Sequence, residues 1–290
     1  MMMRERTTEM DRAKTLSMKT PALFAVLAVV SFSMSAPASA ASSSWSDAMG
    51  ARMRVIAPGG PPAADGSQTI GLEIELEPGW KTYWRSPGDS GVPPYFDHSA
   101  SANIADLQID WPAPHRFDDS GGMSVGYKSS VVLPITIKPQ SAALPVLLTL
   151  SVDYGVCKEI CVPASGTAKL VLGRNLAADA EASATLARYQ EKVPADAGPD
   201  LAVTAVAAKE RQSLTIETRL ADVSADSDLF VEGPESWYFP APKKTAEKDG
   251  TVTWTLPLDG VPQDASLSGT ELTLTLVNGQ RAVEQKWRLD

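Results

Sequence analysis

Cys157 and Cys161 are the only two cysteines in the 290 residues, and Lys158-Glu159-Ile160 separates them. Two thiols this close support three kinds of chemistry. They can close and reopen as a redox-active disulfide, stay closed as a structural bridge, or bind a soft metal as thiolates. A bridge across so short a loop removes little chain entropy, about 2 kcal/mol in the loop-closure view. A domain of this size has enough core not to need it. Short-loop disulfides can also be exposed and easier to reduce. The spacing is not the C-x-x-C of thioredoxins and gains nothing from that motif. On the residues alone, all three readings stay open.

The metal reading is a copper(I)-handling protein that uses Cys157 and Cys161, with His or Met completing the site. His98 and His115 are the only histidines, and Met123 lies near the second. Zinc would need four good ligands, which are not evident. Copper-delivery proteins of the Sco type use C-x-x-x-C on a thioredoxin-like fold, which the strand pattern below disfavours. The structural-bridge reading is a non-redox binding module, whose interface could include Trp237-Tyr238-Phe239-Pro240; such a run more often packs as core plus turn. No G-x-S-x-G or comparable hydrolase motif occurs. A second stretch, Gly79-Trp80-Lys81-Thr82-Tyr83-Trp84-Arg85, puts three aromatics within five residues beside turn formers through Pro94. It reads either as a strand with core aromatics or as a loop shaping the surface around the cysteines.

The elements that must position the pair are strands. Ile70, Leu72, Ile74 and Leu76 alternate with polar residues, the mark of a half-buried strand. Residues 107–111, 131–137, 146–152 and 168–172 repeat the signal, and Pro134 predicts an edge or a bulge. If the strand through Val152 and Tyr154 continues, Asp153, Gly155 and Cys157 share its polar face, so Cys157 is expected to be reachable. Lys158 would favour a thiolate, and Asp153 and Glu159 would oppose it. Residues 175–192 predict one helix capped by Asn175, ending before Pro194, with a linker through Pro199. Strands resume at 214–220, 252–258, 272–276 and 283–289, and Asn278-Gly279 signals a type I′ hairpin. The expectation is all-β, two tandem β-sandwiches joined by a short helical linker. No βαβ alternation appears.

Composition narrows the class further. Net charge is -9, with 43% hydrophobic and 21% charged residues, 22 Pro and 20 Gly. That excludes global disorder and collagen, and the acidic balance argues against nucleic-acid or anionic-membrane binding. Arg12, Lys14 and Lys19 precede an apolar run over 21–30, and Ala38-Ser39-Ala40 follows, so residues 1–40 read as a cleaved signal peptide, with Met18 an alternative start. Nothing after Ala40 is long and apolar enough for a transmembrane helix. An exported, disulfide-permissive compartment is expected.

Several separated motifs together resemble the amino-terminal (alpha) domain of the DsbD family of periplasmic thiol:disulfide interchange proteins, in its ScsB-like branch. They are Pro78-Gly79-Trp80-Lys81-Thr82-Tyr83-Trp84-Arg85, Pro87-Gly88-Asp89-Ser90-Gly91, Trp111-Pro112-Ala113-Pro114, Gly126-Tyr127 and Cys157-Lys158-Glu159-Ile160-Cys161-Val162-Pro163. The likeness spans about residues 48–172. Residues 200–290 resemble more loosely the extra immunoglobulin-like domain of ScsB-type proteins. The resemblance implies a signal peptide (1–40), an immunoglobulin-like domain bearing the pair (45–174), a helical linker (175–199) and a second immunoglobulin-like domain (200–290). It also implies a protein-disulfide reductase type of activity without a cofactor, in the periplasm, and a link to copper tolerance. Electrons would pass from a membrane-embedded donor to a thioredoxin-like acceptor through Cys157 and Cys161, with Cys161 forming the mixed disulfide downstream. A cap would cover the pair from about 117–127, through Phe117, Met123 or Tyr127, with Asp153 and Tyr154 in the surround. Phe117–Gly122 departs from the better-known cap sequences, and Lys81 stands where a His is common. The chain ends at Asp290 without a membrane or thioredoxin domain, which predicts a free-standing module or a fragment whose donor is another polypeptide.

Overall fold

Period-two alternation becomes four sheets around two apolar cores in the computed structural model, which describes residues 41–88, 91–119 and 122–290. The expected signal peptide lies outside the described residues. The first block contains β1 (Ser46–Ala48), β2 (Ala51–Ile56), β3 (Gln68–Leu76), β4 (Lys81–Gly88), β5 (Tyr95–Asp97), β6 (Ile104–Ile109), β7 (His115–Asp119), β8 (Gly122–Lys128), β9 (Ser130–Pro139), β10 (Val146–Cys157) and β11 (Cys161–Leu172). One sheet runs β1-β2-β3-β9-β6. The other runs β11-β10-β4-β8-β7, with β5 also paired to β10. Their inner faces share a core that includes Met53, Leu72 and Ile135 from one side and Trp84, Leu150 and Val156 from the other. The alternation over Ile70–Leu76 faces inward as expected.

Pro134 is a correction. β9 is an interior strand, in unbroken register with β3 through Gly71↔Pro134. The proline's carbonyl accepts from Asp110 N (2.8 Å), so its missing N–H also points to the β6 side, where β6 has just ended. The ladder to β3 loses nothing.

The helix α1 (Ala180–Gln190) is shorter than expected. Asp179, not Asn175, is its cap, its carboxylate accepting from the N–H groups of Glu181 and Ala182. Ala182 and Leu186 pack on Ile56 and Val132, so the helix is fastened to the first block. Within the expected linker, β12 (Ala195–Asp196) pairs in parallel with Val283 and Glu284 of the chain's last strand.

The second block contains β13 (Leu201–Lys209), β14 (Ser213–Leu220), β15 (Asp228–Glu232), β16 (Lys243–Lys248), β17 (Thr251–Pro257), β18 (Glu271–Asn278) and β19 (Arg281–Arg288). Its sheets run β12-β19-β18-β15 and β13-β14-β17-β16. Trp237 and Phe239 pack against its core, and Tyr238 is exposed, the core-plus-turn pattern. The β18–β19 turn is not type I′. Asn278 pairs with Arg281, which leaves Gly279-Gln280 as the loop, and only Gly279 has positive φ (+63°), the II′ pattern. The molecule is all-β, consistent with an immunoglobulin-like fold, with one helix among the described residues.

Candidate functional site

β10 and β11 form a twelve-rung antiparallel hairpin whose last rung is Cys157↔Cys161. The two cysteines are joined as a disulfide. Lys158, Glu159 and Ile160 make the exposed tip, and Ile160 is 75% exposed. The expected parity holds: Asp153, Gly155 and Cys157 share one face, and Val152, Tyr154 and Val156 enter the core. Accessibility does not follow from it. Cys157 is only 6% exposed, whereas Cys161 faces solvent.

β4 explains the difference. It pairs with the end of β10 through Val156↔Thr82 and Cys157↔Lys81, so Lys81 and Cys157 stand side by side on the outer face. Lys81 is buried, and its ammonium lies 5.8 Å from the centre of the Phe117 ring. Tyr83, one step along the same face, lays its ring over Gly155. A Cβ at that position would sit 2.8 Å from the ring, so the position has room for hydrogen alone. The Tyr83 hydroxyl lies 3.0 Å from Cys161 Sγ, and because a disulfide sulfur carries no proton, the phenol donates. The outer face is polar by pattern but covered at this end. Beside the pair opens a cleft of about 550 Å³ lined mostly by apolar side chains, among them Val92, Pro93, Tyr95, Val162 and Pro163.

Residues 56–173 match the family described as thiol:disulfide interchange protein DsbD, N-terminal. The block that carries the cysteine pair is thus similar to the DsbD amino-terminal domain. Residues 192–290 match a domain of unknown function (DUF8393). The fold resembles the crystal structure of the N-terminal periplasmic domain of ScsB from Proteus mirabilis, with a TM-score of 0.70 at 24% identity, over 86% of this chain and 98% of that one. No curated protein matches the chain.

In this block, Asp153 and Tyr154 line the cleft with Cys161. The Tyr154 hydroxyl is buried without a hydrogen-bond partner among the described residues, and burial pushes its pKa up to about 12. The three side chains expected to cap the pair lie elsewhere. Tyr127 is in the core and donates to the Pro112 carbonyl (2.8 Å), its phenol pushed well up by burial. Phe117 packs beside the Lys81 and Lys128 ammonium groups, on the Cys157 face but strands away. Met123 lies with Trp84 and Arg116 near the second block. Ser120 and Gly121, within the expected cap, are outside the described residues. Among the described residues, Tyr83 touches the pair, and no residue-type rule pointed to it. The only sequence signal was the aromatic-rich stretch containing it.

His98 and His115 are exposed, and neither lines the cleft. Among the described residues, no three His, Cys, Asp or Glu side chains gather as a metal site. Among the same residues, no helix is long and apolar enough to cross a membrane.

Proposed function

We propose that the chain is a periplasmic thiol:disulfide interchange module of protein-disulfide reductase type, working through the Cys157–Cys161 pair. In this reading residues 1–40 are a signal peptide, and 45–174 and 200–290 are immunoglobulin-like sandwiches joined by the helical connector 175–199. The observation that carries it is the asymmetry of the pair: Cys161 open at an apolar cleft, Cys157 buried beside Lys81 of β4. Interchange needs an in-line approach to one sulfur and a leaving thiolate at the other.

A thiolate of a membrane-embedded donor attacks Cys161 Sγ. The new S–S bond forms as Sγ161–Sγ157 breaks, and Cys157, cross-strand neighbour of Lys81, takes the electron pair as a thiolate. The donor's second thiol then attacks the donor sulfur of the mixed disulfide, leaving both cysteines reduced and the donor oxidised. Downstream, the Cys161 thiolate attacks the disulfide of a thioredoxin-like acceptor, and Cys157 resolves the mixed disulfide. The acceptor leaves as a dithiol. A hydrogen bond from Tyr83 favours the Cys161 thiolate over the thiol. The apolar rim of Val92, Pro93 and Tyr95 suits a partner surface around an exposed sulfur.

The test is trapping. In Cys157→Ala, Cys161 should accumulate a mixed disulfide with a thioredoxin-like acceptor, and Cys161→Ala should trap little. Trapping by Cys161→Ala alone would reverse the assignment, and trapping by neither would end the interchange reading.

A further inference from the structure

The second block touches the strand that carries Tyr83. β4 follows β10 for only two rungs, Lys81 and Thr82, after which β5 takes its place along β10. On its other side the register with β8 breaks between Tyr83 and Gly88. The segment just past Tyr83 therefore lacks regular ladder support on both sides. Trp84 is anchored in the first core, and further support comes from the second block, through β15 and β19.

Asp228, Phe230 and Glu232 alternate along β15 and face the first block, and the intervening Leu229 and Val231 enter the second core. Glu232 accepts a fork from Arg85, at 3.0 Å from Nε and 2.7 Å from Nη2. Glu284 on β19 takes the same guanidinium and is itself held by Thr275 Oγ1 (3.1 Å). Phe230 meets Trp84 edge-on, 5.7 Å between centroids, and counts in the first core. Asp228 pairs with Arg116 of β7 (2.9 Å). Burial works against the Arg85 charge, but the two carboxylates more than offset it and its pKa is raised. Both blocks belong to one compact unit.

We infer that the second block is a brace: by gripping Trp84 and Arg85 it fixes Tyr83 against Cys161 and so limits thiol access to the disulfide. Arg85, Glu232 and Glu284 are positioning residues that act through Tyr83. This rests on the interchange reading for its purpose, but the brace can be tested on the bond itself.

The experiment measures the rate at which dithiothreitol reduces the pair in the full chain at neutral pH. Glu232→Gln with Glu284→Gln keeps the shapes and removes the charges, and should speed reduction about five- to tenfold, the scale of one ordinary hydrogen bond's net contribution. Leu256→Ala, a cavity in the second core away from the contact, should leave the rate within about twofold. In a Tyr83→Phe background the two Gln substitutions should add little, because their route is already cut. Should the double Gln variant not fold, Arg85→Lys, which keeps charge and loses the fork, gives the same reading. Unchanged rates, equal acceleration by Leu256→Ala, or full additivity with Tyr83→Phe would overturn the brace. None of these outcomes bears on whether single cysteine variants trap a partner.

Discussion

Two long hairpins in this molecule end in opposite ways. β18–β19 closes on Gly279, whose positive φ suits a two-residue II′ turn. Asn278 locks it from the side, accepting from Ser224 N (2.8 Å) and donating to the Asp222 carbonyl (2.7 Å). β10–β11 has a three-residue tip of ordinary side chains, Lys158, Glu159 and Ile160, and a disulfide across its last rung. The first turn is fixed by backbone preference and buried hydrogen bonds, which no redox change can undo. The second is fixed by a bond that thiols can exchange, with one sulfur presented to solvent. A twelve-rung ladder with Leu148, Leu150 and Val152 in the core holds the strands together without it. On the interchange reading proposed above, the covalent closure adds chemistry where the Asn278 closure adds stability.

Cysteine removal separates the two most sharply. Cys157→Ala or Cys161→Ala should abolish turnover in a coupled interchange assay, yet lower stability by no more than about 2 kcal/mol in denaturant melts. Asn278→Ala should do the reverse. Losing a buried acceptor and donor costs about 1–3 kcal/mol, and interchange should be unchanged. Equal stability losses in both hairpins, with turnover intact in both, would erase the distinction. Tyr83→Phe removes one hydrogen bond to sulfur. It should raise the titration midpoint of the Cys161 thiol, read by alkylation rate against pH, and slow transfer to a disulfide acceptor about fivefold at neutral pH.

The smallest effect is alkaline. Tyr154 ionises near 12 in the folded chain, above the ordinary value of 10.0, and Tyr127 is shifted the same way. A raised folded pKa keeps its stability below the unfolded value and loses it as pH climbs through the folded one. Thermal midpoints should be flat up to about pH 10 and then fall towards 12, and the fall should be shallower in Tyr154→Phe.

Much of this was legible because sheet burial writes a period of two. Ile70–Leu76, Val146–Val152 and Leu272–Leu276 declare their inner faces, and two lone cysteines four positions apart declare themselves. Exposure of the cysteines was not legible. Parity chose the right face for Cys157, but Tyr83 and Lys81 cover that face from a strand some seventy residues earlier. Pro134 marks an edge by local chemistry, yet where β6 stops makes it harmless in the interior. The Asn278-Gly279 dipeptide named a hairpin correctly and its turn wrongly, because the register moved the loop by one residue. The grip of β15 on Arg85 and Trp84 depends on how two blocks meet, which no local pattern encodes.

The reduction potential of the Cys157–Cys161 pair, measured by equilibration with glutathione buffers, bears most directly on the central claim. Interchange predicts a value within about -120 to -270 mV, among thiol-exchange proteins; a value below about -300 mV would make the bond a permanent fastening and contradict the account.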